Sequence, residues 1–259
     1  MNGLSKMQYP ACVLKFLSHH LIKMTDAANI GSSGSQEHPV APSPKSHDYK
    51  KYKKRGIAVI FNHKQYEINL ETRFGTDKDR DELSAEIEAV LSRITGIDHS
   101  EHECLLVAAM SHGEEKKFYA RDRAFPVNGL WMPFLHVPSL VGKPKLFFIQ
   151  ACRGNKVDPG VIVSFAYDEC DTQNQKKTYS MPITADMLLM FSTFEGYYSY
   201  RDPKKGSYFI QALAYQLKAA EDRNLLSILT NVNREVAVNY EDKEMCTILS
   251  TLTRRFSLE

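Results

Sequence analysis

Four short, nearly continuous apolar runs punctuate the chain: Ile57–Phe61, Cys104–Met110, Lys145–Ile149 and Met187–Phe191. None alternates apolar with polar residues as a half-exposed strand does. They therefore predict parallel strands covered on both faces. Between and after them the apolar positions switch to helical spacing. Leu83, Ile87, Val90, Leu91 and Ile94 form one stripe, with Gly96 placed to end its helix. Phe209, Ile210, Leu213, Ala214 and Leu217 form a second, with Ser207 as N-cap. Leu226, Leu229, Val232 and Val236 form a third, and Thr247–Phe256 reads as a last strand at a sheet edge. All three stripes are read as core-facing helix faces. Strands alternating with helices predict a three-layer α/β sandwich around a mostly parallel sheet.

The pattern lapses in two places. Residues 26–46 are rich in Ala, Gly, Ser and Pro and hold few large apolar groups, too few to offset the entropy of ordering. Residues 1–50 are expected to be a flexible leader. Between Asn155 and Pro182, Gly160, Gln173, Asn174, Gln175 and Lys176-Lys177 read as an exposed loop. It divides the domain into a larger N-terminal and a smaller C-terminal piece. The basic run Lys50-Lys51-Tyr52-Lys53-Lys54-Arg55 reads as a solvated stretch preceding the first strand.

Composition narrows the function classes. At 259 residues the chain suits one well-buried domain, and 43% hydrophobic with 25% charged residues is ordinary for a globular protein. A net charge of +2 gives no case for a nucleic-acid partner. No apolar stretch is long enough to span a bilayer, so no membrane partner is expected. The run Ala11–Leu17 is broken by Lys15 and followed by His19-His20, which does not suit a signal peptide. The five cysteines, an odd number without regular spacing, argue against a disulfide framework, and no Asn-x-Ser/Thr acceptor occurs. Both points lead us to expect a reducing cytosol. His99-Ser100-Glu101-His102 with Cys104 imitates metal-ligand spacing, but no second cluster completes a four-ligand set, so it reads as a polar turn and no metal is expected.

The chemistry centres on two residues. Cys152 lies just past the third apolar run, and His112 just past the second. If those strands are parallel neighbours, both side chains emerge at the same rim, where α/β proteins keep their ligand sites. A nearby imidazolium lowers a thiol's pKa, and the same ring can protonate a departing amine. Taken singly, a cysteine or histidine at such a place is also compatible with plain packing or hydrogen-bonded structure.

The pentapeptide Gln150-Ala151-Cys152-Arg153-Gly154, with Ser111-His112-Gly113 upstream, resembles the signature of the caspases, cysteine proteases that cut after aspartate. The resemblance runs from about Arg55 to the C-terminus. It implies Cys152 as nucleophile, His112 as acid–base, and the backbone N–H groups of Gly113 and Cys152 as the oxyanion hole. Arg73, Gln150 and Arg201 match the family's aspartate pocket. Arginine suits that pocket because its planar fork grips a carboxylate through two hydrogen bonds. Tyr198, Tyr200 and Tyr208 would line the neighbouring pocket, with tyrosine at 200 and 208 where caspases often carry tryptophan. No cofactor is implied.

Asp168-Glu169-Cys170-Asp171 resembles the Asp-x-x-Asp sequences that executioner caspases cut. Cleavage after Asp171 would leave a large subunit, 51–171, and a small one, 172–259. Asp26 and Asp48 are weaker candidates for removal of the leader. The short leader favours an executioner, activated by an upstream protease. Expected partners are protein substrates with exposed Asp-x-x-Asp sequences and a second large/small pair, joined as a homodimer through Thr247–Phe256. The chain departs from the family in being shorter between Arg73 and His112, where the usual second strand is missing, and between Val238 and Met245, which implies a shallow outer pocket. The competing expectation is a catalytically impaired caspase that binds and regulates an active relative.

Overall fold

The computed structural model describes residues 46–63, 87–120, 123–157, 182–202, 205–239 and 244–258. Arg73, Leu83, Asp26 and Asp171 lie outside the described residues, as do most of the leader and of the loop between Asn155 and Pro182.

All four apolar runs are strands of one sheet. β1 (Lys54–Asn62), β2 (His102–Met110), β6 (Lys145–Gln150) and β7 (Met187–Phe191) pair in parallel, and β10 (Thr247–Ser250) adds antiparallel to β7, in the order β1-β2-β6-β7-β10. Every residue of β2, β6 and β7 is buried, because helices cover both faces of the central strands. Among the described residues β1 and β10 stand at the edges, and both are partly exposed.

The two faces carry separate cores. Leu106, Ala108, Leu146, Phe148, Leu188 and Met190 face α2 (Tyr208–Ala219) and α3 (Leu225–Asn239). The alternate positions, Leu105, Val107, Ala109, Phe147, Ile149 and Leu189, face α1 (Ile87–Thr95), with Phe118, Phe125, Leu130 and Phe134. This period-two division of one strand between two cores makes the three layers. Phe147, wholly buried, packs edge-on or tilted against Trp131 and Phe134 at ring distances of 6.4 and 6.2 Å.

The helix ends follow the local signals. The Ile210 N–H donates to the Ser207 hydroxyl at 3.5 Å, so Ser207 caps α2. Gly96 follows α1 directly, its N–H donating to the Ser92 carbonyl. Leu226 corrects the sequence reading: it is 37% exposed, whereas Leu225 and Ile228 are buried beside Leu229, Val232 and Val236. The true stripe starts one residue earlier.

Two further corrections concern strand limits. The last strand stops at Ser250 rather than Phe256. Beyond it Thr251 bonds back to Met187 and Asp186, and Thr253 to Asp186, which turns the chain off the sheet edge. The basic run does not all precede the first strand, since Lys54 and Arg55 belong to β1. Nor is it merely solvated. Arg55 and Lys51 reach the buried Glu103 at 3.0 and 3.7 Å, and Lys53 and Lys54 reach Glu101 at 3.5 and 3.8 Å. The cations offset the cost of burying Glu103.

Segment 47–49 is tied to the far end of the chain. The Tyr49 hydroxyl and the Thr253 hydroxyl each donate to Asp186 Oδ1 at 2.6 Å. Backbone bonds join Tyr49 to Arg255 and Arg255 to His47, and the Arg255 guanidinium grips Asp48 at 3.0 and 3.2 Å. Asp48, named above as a processing candidate, is exposed but held by these contacts. A protease would have to peel it away from Arg255 first.

Candidate active site

The site begins with the register of β2 and β6. Met110 stands opposite Gln150 in a parallel pair, and the Ser111 N–H donates to the Gln150 carbonyl at 3.0 Å. The chain thus leaves both strands side by side at their C-terminal ends. His112-Gly113 comes to lie beside Ala151-Cys152, as expected if the strands are parallel neighbours.

A small antiparallel sheet fixes the histidine side. β3 (Gly113–Glu114), β4 (Lys117–Tyr119) and β5 (Ala124–Pro126) form a meander whose strands are too short to show periodicity in the sequence. Its central strand reaches back to the turn. The Tyr119 N–H donates to the His112 carbonyl at 3.1 Å, and the buried Ser111 hydroxyl donates to the Tyr119 carbonyl at 2.6 Å. His112 is half-buried between these anchors.

Gly113 is required by close approach. A Cβ there would sit 2.5 Å from the Cys152 carbonyl oxygen and 2.8 Å from Ala151 Cβ. In the structure its nearest neighbour is the cysteine's own backbone.

The cysteine side is held by the turn after β7. Ser192, fully buried, exchanges hydrogen bonds with the Ala151 N–H and carbonyl at 3.3 Å each. Arg153 bonds Tyr197 and Gly196 through its backbone, and its guanidinium lies 4.1 Å from the centre of the Phe191 ring and 3.3 Å from Glu195. Gly154 packs so closely on Gly196 that a Cβ would fall 2.2 Å from the Gly196 carbonyl oxygen.

The run 197–202 is thereby laid across the cysteine. The Ser199 N–H donates to Cys152 Sγ at 3.5 Å, and the half-buried thiol lies 3.7 Å from the Ser199 carbonyl. Gln150 is buried, and its side-chain amide donates to the Ser199 hydroxyl at 3.4 Å. Tyr200 and Tyr208 stack with their planes 17° apart, and Tyr208 donates its N–H to the Tyr200 carbonyl. Arg201 opens β8 (Arg201–Asp202), paired with β9 (Gly206–Ser207), and is half-buried. Tyr198 is exposed. Of the residues singled out in the sequence, His112, Gly113, Gln150 and Cys152 meet at one rim, and the 198–201 run with Tyr208 adjoins them.

Sequence reasoning missed Ser111, Ser192, Ser199 and Glu244. The Ser199 hydroxyl donates to Glu244 Oε1 at 2.8 Å, and the Tyr200 N–H donates to Oε2 at 2.9 Å. Glu244 is only 3% exposed, and its carboxyl is pushed up to about 7 by that burial, against the pull of its two hydrogen bonds. Nothing in a lone glutamate before the last strand signals such a contact.

The other described cysteines are chemically quiet. Burial pushes the Cys104 thiol up to about 12 and also raises that of Cys246. His99 and His102 touch through their Nδ1 atoms at 3.2 Å, and burial lowers both, His102 to about 4. They form a packed polar turn under Lys143. Among the described residues no three metal-ligating side chains gather, and no helix is long and apolar enough to cross a membrane.

Known proteins resemble the chain over most of its length. Residues 84–257 match the model of the Peptidase C14 family, caspase domain. The chain is 37% identical to Caspase-1 of Spodoptera frugiperda over 264 residues, covering 87% of each chain. It is 36% identical to Caspase drICE of Drosophila melanogaster, over 80% of this chain and 71% of that one. It is 32% identical to Caspase-3 of Mesocricetus auratus, over 78% and 83%. The crystal structure of Caspase-1 from Spodoptera frugiperda superposes with a TM-score of 0.73, at 36% identity, covering 85% of this chain and 97% of that one.

Proposed function

The chain belongs to the caspase family of cysteine proteases, and from that premise we propose that it is an executioner-type endopeptidase that cuts after aspartate and acts in apoptosis. It is made as a cytoplasmic zymogen and matures by cleavage after Asp171. The observation that carries the reading is the convergence of His112-Gly113 with Gln150–Cys152 at the C-terminal rim of two paired parallel strands.

His112 takes the thiol proton, and the Cys152 thiolate attacks the carbonyl carbon of the aspartate itself. The N–H groups of Gly113 and Cys152 receive the developing oxyanion. Collapse of the tetrahedral species breaks the C–N bond, and His112 protonates the leaving amine. Water then hydrolyses the thioester by the same route and restores the thiol. Arg73, Gln150 and Arg201 hold the aspartate, and Tyr198, Tyr200 and Tyr208 line the adjoining pocket. The half-exposed β10, with Leu249 54% exposed, is the edge through which two copies pair.

A pair of reporter peptides, Asp-x-x-Asp and Asp-x-x-Asn, tests the specificity. Loss of the buried carboxylate–guanidinium pairing lowers kcat/KM for the asparagine peptide by about a hundredfold or more. Equal rates on the two peptides overturn aspartate specificity. No Cys152-dependent hydrolysis of either, from soluble cleaved protein, points to a regulatory binder instead. Asp171→Ala tests maturation. An activating protease converts the native chain into two fragments and leaves the variant whole, as read on a denaturing gel. The same two fragments from both would move the processing site elsewhere.

A further inference from the structure

We propose that Glu244 is a positioning residue of the active site: its carboxylate grips Ser199 and Tyr200 and so holds the 197–202 run against Cys152 and Gln150. This rests on the protease reading only for its effect on turnover.

The grip is a chain of contacts from one segment to another. Glu244 Oε1 receives the Ser199 hydroxyl at 2.8 Å, and Oε2 receives the Tyr200 N–H at 2.9 Å. The same Ser199 hydroxyl accepts from the Gln150 amide at 3.4 Å, and the Ser199 N–H donates to Cys152 Sγ at 3.5 Å. One carboxylate thus fixes two consecutive residues of the run that adjoins both the thiol and a residue of the aspartate pocket. The backbone of that run is also tethered towards its two ends, by Tyr198 N–H to Lys156 and by the short pairing of Arg201 with Ser207. In between, the Tyr208 N–H holds the Tyr200 carbonyl, and Glu244 adds the two bonds from the Ser199 hydroxyl and the Tyr200 N–H.

An ionised carboxylate accepts both donors; a protonated one must turn a hydroxyl towards one of them. Burial favours the protonated form, bringing the change into the range of about 7. Among the described residues, the titratable or charged groups on the elements around it are Cys152 and Arg153 after β6, Tyr197, Tyr198, Tyr200, Arg201 and Asp202 on the overlying run, Tyr208 stacked on Tyr200, and Cys246 on its own segment. Cys246 is raised by burial and by Glu244 itself and so stays a thiol here. Above about pH 7 the run is therefore held; below it the grip loosens, although folding is then relieved of a buried charge. The raised carboxyl means that the folded state binds the extra proton, so the ionised group costs stability as pH rises from the ordinary carboxyl value of 4.5 to about 7.

The test is alkylation of Cys152 by iodoacetamide in the full chain, followed by peptide mass spectrometry, across pH 6 to 8.5 (values about the Glu244 midpoint). Native protein, Glu244→Ala and Glu244→Gln are compared. Loss of the hold in Glu244→Ala uncovers the sulfur and speeds alkylation by about fivefold or more at high pH. The excess shrinks at low pH, where the native run loosens too. Glu244→Gln keeps the shape and one strong acceptor, stays near the native rate at high pH, and falls below the native rate measured at the same pH once that pH is under about 7, although alkylation slows in all three as the thiolate is lost. Identical rates in all three proteins at every pH overturn the proposal, as does a native-to-glutamine ratio that does not vary with pH. In the matured protein the same three chains should differ chiefly in KM for the Asp-x-x-Asp peptide. An equal fall in kcat with KM unchanged would also overturn it. The alkylation pattern without any hydrolysis would sustain the positioning role while removing the protease reading.

Discussion

Replacing Cys152 with alanine will lower kcat/KM for an Asp-x-x-Asp reporter by about ten-thousandfold or more, with the melting temperature nearly unchanged. The size follows from what the sulfur does. It forms the covalent bond to the substrate carbon, and neither of the other described cysteines can replace it. Cys104 and Cys246 are buried thiols with raised pKa, and neither is presented at the C-terminal end of β2 or β6. The small effect on folding follows because alanine keeps the backbone and removes a half-buried thiol whose bonds with Ser199, at 3.5 and 3.7 Å, are weak sulfur hydrogen bonds. The turn carrying it is also fixed by the Ser192 hydroxyl on the Ala151 backbone and by backbone bonds from Arg153 to Gly196 and Tyr197. Reporter kinetics beside a thermal melt check both halves. Retention of more than about a tenth of the activity would remove Cys152 from the nucleophile's role.

Gly113→Ala should have the next largest effect, with kcat reduced by about a hundredfold or more. The added methyl would sit 2.5 Å from the Cys152 carbonyl oxygen, 2.8 Å from Ala151 Cβ and 3.1 Å from the Lys117 carbonyl oxygen. All three belong to backbone or to a side chain without rotamers, so no rotation relieves the clash. Either the 111–114 turn or the 151–153 turn must shift, and both proposed oxyanion donors lie on those turns. Misplacing a donor by a few tenths of an ångström weakens it in the transition state more than in the bound substrate. The loss should therefore fall on kcat, with KM much less affected. Single-turnover kinetics would show it. A variant keeping more than about half the native kcat would dissociate Gly113 from transition-state stabilisation.

Much of this site is legible without coordinates, for a specific reason. Cys152 and His112 follow strands whose every residue is buried, and such strands announce themselves as apolar runs. Once both runs are strands of one parallel sheet, the ends of adjacent members must share a rim. The less legible parts lack that signal. The β3–β5 meander has strands of two or three residues, below the length at which period two can be seen. Lys54 and Arg55 look like linker because they are cationic, but they are strand because their backbone continues the pairing with β2, Lys54 opposite His102, and Glu101 and Glu103 stand beside them to receive their charges. The α3 stripe is easily misplaced at Leu226 because Leu225 and Leu226 are the same residue type and only packing distinguishes them. Glu244 is invisible in the sequence because its significance lies in Ser199 and Tyr200, far away along the chain and themselves ordinary.

The tie between the two chain ends bears on what a cut in the loop would do. Tyr49 belongs to the portion before that loop, and Asp186 and Thr253 to the portion after it, yet the three share one carboxylate oxygen. Strands β6 and β7, also from opposite sides of the loop, are neighbours in the sheet. Severing the peptide between them removes connectivity but none of these bonds. Two polypeptides would then be clasped as one body at both the sheet centre and the periphery, and the scaffold stays assembled after the cut.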